Sequence, residues 1–142
     1  MQELKELAAK LLQEKQVDAV LGYECDRRGM RPAFITEAAD CGRLAFDHRC
    51  VQNLAVYLSP RRGHVASLGR LAVVIKPCDA RAVAGLIRES QIKREDIVLI
   101  GVRCGGVVRD PTDSRDLSPE TLAPRCFGCD AAESALADYW VG

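Results

Sequence analysis

Aromatic residues are scarce in this sequence: one Trp, three Tyr and three Phe among 142 residues. Net charge is lacking as well, because 20 basic residues balance 20 acidic ones. These two absences remove the features by which a nucleic-acid binder is recognised, a basic face and rings on which bases stack. Long hydrophobic runs are missing too. No apolar run is longer than Leu71–Ile75, far short of the ~20 residues that cross a bilayer. The opening MQELKELAAKLLQEK has neither an apolar h-region nor a cleavage site, so a signal peptide is not expected and the cytoplasm is the expected compartment. A G-x-G-x-x-G or Walker motif is absent, which leaves nucleotide binding without local support. No grouping of residues reads as an acid, base or nucleophile set for bond-making chemistry.

Cysteine, by contrast, is abundant. Seven cysteines in a reducing compartment do not suit a disulfide framework, and the odd count weakens that reading further. Some are expected to be small buried hydrophobes; the rest need a chemical reason. The length allows one domain with a real core and is too short for two comfortable ones.

The hydrophobic pattern predicts an amphipathic helix over 2–15, with Leu4, Leu7, Ala8, Leu11 and Leu12 on one stripe. VDAVLGYEC (17–25) and RPAFIT (31–36) read as strands around a turn at Arg27–Gly29, and 37–50 reads as irregular with some helix. VQNLAVYL (51–58) reads as a helix broken by Pro60 and Gly63. LAVVI (71–75) and IVLIGV (97–102) are continuous apolar runs of the kind buried on both faces of a sheet. Between them lies ARAVAGLIRES, a helix for which Asp79 is a natural N-cap. Strand, helix and strand make a βαβ unit with parallel strands. The Gly-, Pro- and Asp-rich stretch 105–124 reads as a long loop with at most one helical turn, capped by Ser118. A last helix is expected over Ala131–Tyr139. The expected fold is α/β: a single domain, residues 1–142, with a small, mostly parallel sheet flanked by helices.

Parallel strands present their carboxyl ends on one edge, where α/β folds bind ligands. Cys78 follows the first buried strand, and Cys104 ends the second. In neighbouring or next-neighbouring strands their sulfurs would lie roughly 5 to 10 Å apart, given a strand spacing of about 4.8 Å. The long loop can return Arg125-Cys126-Phe127-Gly128-Cys129 to the same edge. Cys78, Cys104, Cys126 and Cys129 are therefore the candidate metal ligands. Four thiolates suit either Zn²⁺ or an iron–sulfur cluster. An iron–sulfur cluster is favoured here, because two of the cysteines stand singly at strand ends of a domain with a core of its own. The helix N-terminus at Asp79 also favours anionic sulfur near Cys78. Lys76 and Asp79 flank Cys78 and are candidate cofactor-binding residues, Lys76 being equally open to reading as an exposed strand-end lysine.

Cys25 ends the first strand and is the rival for a ligand position. Cys41 and Cys50 read as packing residues. His48 and His64 lack a partner motif and read as surface or capping residues. Arg61, Arg62, His64 and Arg70 form a basic loop that reads as a solvated turn. The loop 105–124, with Tyr139, Trp140 and Val141, is the expected docking surface for a partner.

The segment KPCDARAVAGLIRESQIKREDIVLIGVRCGGVVRD, followed by the CxxC and a closing DYWVG, resembles the beta-subunit family of deazaflavin-dependent hydrogenases and dehydrogenases. Related regions occur in iron–sulfur subunits of formate dehydrogenases and heterodisulfide-reductase-type complexes. The likeness is strongest over 71–142 and co-linear but looser from Asp18 to Leu58. It implies a [4Fe–4S] protein relaying electrons between a flavin or another cluster and a partner subunit, with FAD held by that partner. Cys104, Cys126 and Cys129 match family cysteines most plainly, and Cys78 matches the KPCD cysteine. After the CxxC this chain has DAAESALADYW, where family members often carry a proline and polar residues. Members are usually longer, continuing into ferredoxin-like or flavin-binding parts. The expectation is thus a non-catalytic electron-transfer component of an oxidoreductase complex, without nucleic-acid partner or membrane span; the alternative is a zinc-stabilised interaction module.

Overall fold

In the computed structural model, every residue is described except Pro60, Ala132 and Ser134, together with the side chain of His64. A six-stranded mixed sheet runs through the molecule in the order β2-β1-β4-β5-β6, with β3 also paired to β1. The strands are β1 (Ala19–Asp26), β2 (Gly29–Ile35), β3 (Leu44–Ala45), β4 (Leu71–Ile75), β5 (Ile97–Val102) and β6 (Tyr139–Val141). The helices are α1 (Gln2–Gln13), α2 (Gly63–Ala66) and α3 (Asp79–Arg88). The α/β class and the mostly parallel sheet are as the patterning predicts.

The two continuous apolar runs become central strands. Every residue of β4 and of β5 is buried, and they pair in parallel from Leu71↔Ile97 to Ile75↔Gly101. Fully burying an aliphatic side chain of this size contributes roughly 1.5–3 kcal/mol, so these strands anchor the fold. β1 forms an antiparallel hairpin with β2. Along its other side, its first half pairs in parallel with β4 and its second half pairs antiparallel with β3. β4 and β5 end on the same edge, with Cys78 and Cys104 just beyond. On α1, Leu4, Ala8 and Leu11 are buried, the stripe expected of an amphipathic helix. Among the described residues, no helix is long and apolar enough to cross a membrane.

Several sequence readings need correction. Asp79 does not cap α3: the N-cap residue is Cys78, with no side-chain capping bond. The Asp79 carboxylate instead accepts the Lys76 backbone N–H at 3.0 Å. Residues 51–58 give only a 3₁₀ turn at Leu54–Leu58, started by Asn53, whose side chain accepts the Ala55 N–H at 2.9 Å. A one-turn helix, α2, forms at Gly63–Ala66, where only a break was predicted. Its neighbour Pro60, half of the predicted break, lies outside the described residues, as does the side chain of His64. At Ser118 a single turn does form, its carbonyl accepting from the Thr121 and Leu122 N–H groups at 3.1 and 2.8 Å, but its hydroxyl does not cap it: Ser118 Oγ lies 3.2 Å from Thr121 Oγ1, which also accepts the Ser118 N–H at 2.9 Å. None of the described residues of the expected helix over 131–139 is helical; Tyr139 instead opens β6, which pairs in parallel with β5 from Ile100↔Tyr139 to Val102↔Val141. Ala132 and Ser134 of that expected helix lie outside the described residues.

One ionic cluster ties the hairpin to β3. Glu24, buried on β1, accepts from Arg31 through Oε1 and from Arg43 through Oε2, with both Nη2–O distances 2.6 Å. Burial works to raise the Glu24 carboxyl, but the Arg43 and Arg31 guanidiniums outweigh it and hold it below the usual carboxylate range. A carboxyl depressed by folding stabilises the fold above its unfolded value of about 4.3, and the benefit disappears as pH falls through the folded value. The wild-type chain should therefore melt above Glu24→Gln at neutral pH, with the gap closing on acidification below about pH 4. Thermal melts of both proteins across that range check this; a gap that stays constant or widens in acid contradicts it.

Candidate metal centre

Beyond the carboxyl ends of β4 and β5 the backbone folds into a cleft of about 140 Å³. Its walls include all four cysteines expected to act together: Cys78, Cys104, Cys126 and Cys129. Three pieces of local structure bring them there. Cys78 stands at the N-terminus of α3, and Cys104 lies two residues past the end of β5. The long loop then returns on a bridge between Val108 and Leu122, reinforced by Arg109 N–H to Thr121 O at 2.7 Å and Ala123 N–H to Val107 O at 2.9 Å. That return delivers the 3₁₀ turn Pro124–Cys126 and the CxxC to the cleft.

The loop is braced from outside as well. Arg125 donates through Nη2 to Val51 O at 2.8 Å, and Val108 N–H donates to His48 O at 2.8 Å. The poorly patterned segment before Val51 is therefore the support on which the cysteine loop rests.

Two backbone donors point at sulfur within the cleft. Gly106 N–H reaches Cys104 Sγ at 3.4 Å, and Val107 N–H reaches Cys126 Sγ at 3.5 Å. The first requires glycine: Gly106 has φ +120°, and a Cβ there would lie 2.8 Å from Leu122 Cδ1. Such donors favour anionic sulfur.

Burial raises the Cys78 thiol, the Asp79 carboxylate adds to this, and the Lys76 ammonium opposes it. Burial also raises Cys104, opposed by the Gly106 N–H and by Lys76. Both thiols are thus protonated at neutral pH in the free chain, and any metal they take must displace protons. The four thiols share the cleft without closing on one point: among the described residues, no group of three or more His, Cys, Asp or Glu side chains is placed to hold a metal ion. The chemistry of the donor set, four thiols with backbone N–H groups directed at two of them, nevertheless fits a thiolate-bound metal centre.

Lys76 lines the same cleft and is almost fully buried, at 1% exposure. The strand-end reading that left it exposed is corrected. Its Nζ donates to Tyr23 Oη at 2.9 Å and to Gln52 O at 2.7 Å, and pairs with Asp79 Oδ2 at 3.0 Å. An ammonium has three hydrogens, and all three have partners. Asp79 is buried too, and its other oxygen lies 3.8 Å from Cys78 Sγ, which donates to it. Sequence reasoning missed Tyr23; the available signal was a lone hydroxyl-bearing ring in the apolar run VDAVLGYEC.

The remaining cysteines lie apart from the cleft. Cys41 and Cys50 are buried. Burial pushes the Cys50 thiol up to about 12, which makes it inert. Cys25 is exposed at the end of β1, its Sγ donating to its neighbour Asp26 O at 3.7 Å. Of the expected docking residues, Tyr139 is exposed, Trp140 half-buried and Val141 buried. Phe127, between the two cysteines of the CxxC, is the most exposed large apolar side chain among the described residues, at 53%.

No family model matches the chain. Among curated proteins it is 30% identical over 109 residues to the F420-dependent formate dehydrogenase 1 subunit beta of Methanococcus maripaludis, an alignment covering 72% of this chain and 26% of that one. It is 32% identical over 108 residues to the F420-dependent formate dehydrogenase subunit beta of Methanocaldococcus jannaschii, covering 69% of this chain and 26% of that one. The chain thus spans about a quarter of the length of these curated relatives. The alignments bear out the beta-subunit resemblance.

Proposed function

We propose that this chain, homologous to the beta subunits of F420-dependent formate dehydrogenases, is an electron-transfer component of a larger redox complex and carries one [4Fe–4S] cluster on Cys78, Cys104, Cys126 and Cys129. The observation that carries the reading is the lining of a single cleft by these four cysteines, which come from two strand ends and one returning loop. When bound, such a cluster supplies one-electron transfer.

The protein's own part is to hold and tune that group. Gly106 and Val107 direct N–H groups at two sulfurs, and hydrogen bonds to sulfur are among the determinants of a cluster's potential. Lys76 and Asp79 set the fixed charge behind Cys78. Arg125, anchored on Val51 O, fixes the CxxC loop. A component of this kind passes electrons between partners, so a flavin- or cluster-bearing subunit, with FAD as its flavin, completes the pathway. The exposed Phe127, between two cysteines that line the cleft, suits such docking, since aromatic side chains are enriched at interfaces.

Metal content tests the reading directly. Anaerobically reconstituted chain should contain about four irons and four sulfides per molecule, as one cysteine-bound cubane requires. Its visible absorption should bleach with dithionite. Stoichiometric zinc without labile sulfide would replace this reading by that of a zinc-stabilised interaction module.

A further inference from the structure

Taking an ammonium and a carboxylate out of water costs several kcal/mol each, and such pairs often stabilise a fold no better than packed apolar residues. Lys76 and Asp79 are nonetheless both buried, immediately beside the cysteine cleft. Their surroundings are built to hold them. Tyr23 is fully buried on β1 and donates its hydroxyl to Gln52 O while accepting from Lys76 Nζ. Gln52 O thus accepts from both, and Lys76 Nζ, with three partners, has no hydrogen left for a ligand in the cleft. The lysine is therefore a fixed charge that acts on the cleft through space. The carboxylate is fixed as well, since Asp79 Oδ2 also accepts the Lys76 backbone N–H. Its second oxygen faces Cys78 Sγ. The pair presents two opposite charges to one thiolate site, each locked in place.

We propose that Tyr23 is a positioning residue which, with the Gln52 carbonyl, locks the Lys76 ammonium against the four-cysteine cleft, so that Lys76 and Asp79 tune a bound metal–thiolate centre in opposite directions. This rests on the reading of the four cysteines as metal ligands. The physics is simple. A four-thiolate site with a divalent cation keeps a net charge of about −2, and a nearby cation stabilises it while a nearby anion opposes it. One-electron reduction of a loaded cluster adds one negative charge and forms or breaks no bond in the protein, so the same signs govern its potential.

The test uses the whole chain, wild type and three variants: Tyr23→Phe, Lys76→Met and Asp79→Asn. Two measurements are made: Co²⁺ affinity of the reduced apo-chain, from its thiolate-to-cobalt absorption, and the midpoint potential of the reconstituted cluster with dithionite as reductant. Lys76→Met should weaken Co²⁺ binding by roughly tenfold, as suits loss of one unit charge near an anionic site. Its potential should shift negative. Tyr23→Phe should move both readouts the same way by less, and Asp79→Asn should move both the opposite way. A merely structural role would lower stability in all three variants without reversing sign. Because Lys76→Met leaves a buried carboxylate unpaired, Tyr23→Phe and Asp79→Asn decide the matter if that variant does not fold. Equal Co²⁺ affinity and potential in all folded variants, with the wild type loaded, would overturn this proposal alone. A wild-type chain that takes up neither cobalt nor iron would overturn it together with the reading on which it rests.

Discussion

Cys104→Ser, Cys126→Ser and Cys129→Ser should each abolish the proposed iron–sulfur loading, while Cys25→Ser, Cys41→Ser and Cys50→Ser should leave loading unchanged. Each of the first three removes a thiol that lines the cleft. A serine hydroxyl titrates far above a thiol and is a poor ligand for iron. Within the cleft, Cys104 and Cys126 also receive backbone N–H groups, from Gly106 and Val107. Their replacement leaves those donors facing a shorter side chain. Cys78→Ser is expected to behave like the first group, since Cys78 lines the cleft; Cys25 is the rival. Cys25 does not line the cleft, and its sulfur turns to the neighbouring Asp26 carbonyl. The two buried thiols, Cys41 and Cys50, are raised by burial and have no access to an incoming metal. Iron and sulfide analysis across the seven single variants is the measurement. Normal loading in Cys78→Ser together with loss in Cys25→Ser would show that the fourth ligand comes from β1 rather than from the start of α3.

Legibility in the sequence followed how locally each element is determined. β4 and β5 are unbroken aliphatic runs, and the polar connection between them leaves little choice but a crossover helix, so the βαβ unit could be read residue by residue. The place of Cys78 and Cys104 at one sheet edge followed from that unit alone. The end of the chain could not be read this way. Residues 131–139 hold four Ala, with Glu133 and Leu136, all good helix formers, yet a helix that short is marginal without tertiary support. The support goes elsewhere. Asp138 exchanges two hydrogen bonds with the Leu99 backbone, its N–H donating at 2.9 Å and its carboxylate accepting at 2.8 Å. Arg94 holds Leu136 O at 2.7 Å and the Asp138 carboxylate at 2.9 Å. These long-range contacts hold Leu136 and Asp138 beside β5, and local propensity loses to them. The same holds for Asp79. Its sequence position is that of a helix cap, but Lys76, three residues earlier and buried, claims its carboxylate. Nothing local signals that a lysine after LAVVI will be enclosed. That depends on Tyr23 and Gln52, some 53 and 24 residues away.

Gly101→Val should detach β6 and expose Trp140. Gly101 lies in β5 between Ile75 of β4 and Trp140 of β6, and the indole ring covers the space that a side chain would need: a Cβ there would run into Trp140. Valine is the informative replacement, because it is among the best strand formers. Any loss must then come from packing rather than from backbone preference. Neighbours on one side cannot yield, since Ile75 is fully buried in the core. The short strand at the end of the chain can. It is held by its pairing to β5, by Asp138 on Leu99, and by Arg103 N–H to Val141 O at 3.1 Å. Overpacking of this kind costs about 1–3 kcal/mol, and in a domain of this size each kcal/mol lowers the melting temperature by roughly 4 °C. Trp140 is the single tryptophan of the chain, so its fluorescence reports the displacement without interference and should move to longer wavelength as the ring meets water. The cysteine cleft draws on β5 only at Cys104, beyond Val102, so metal loading should survive in the folded fraction. An unshifted emission and an unchanged melting temperature would mean that the ring does not lie over Gly101 in solution. Loss of loading without loss of stability would mean that β6 supports the cleft directly.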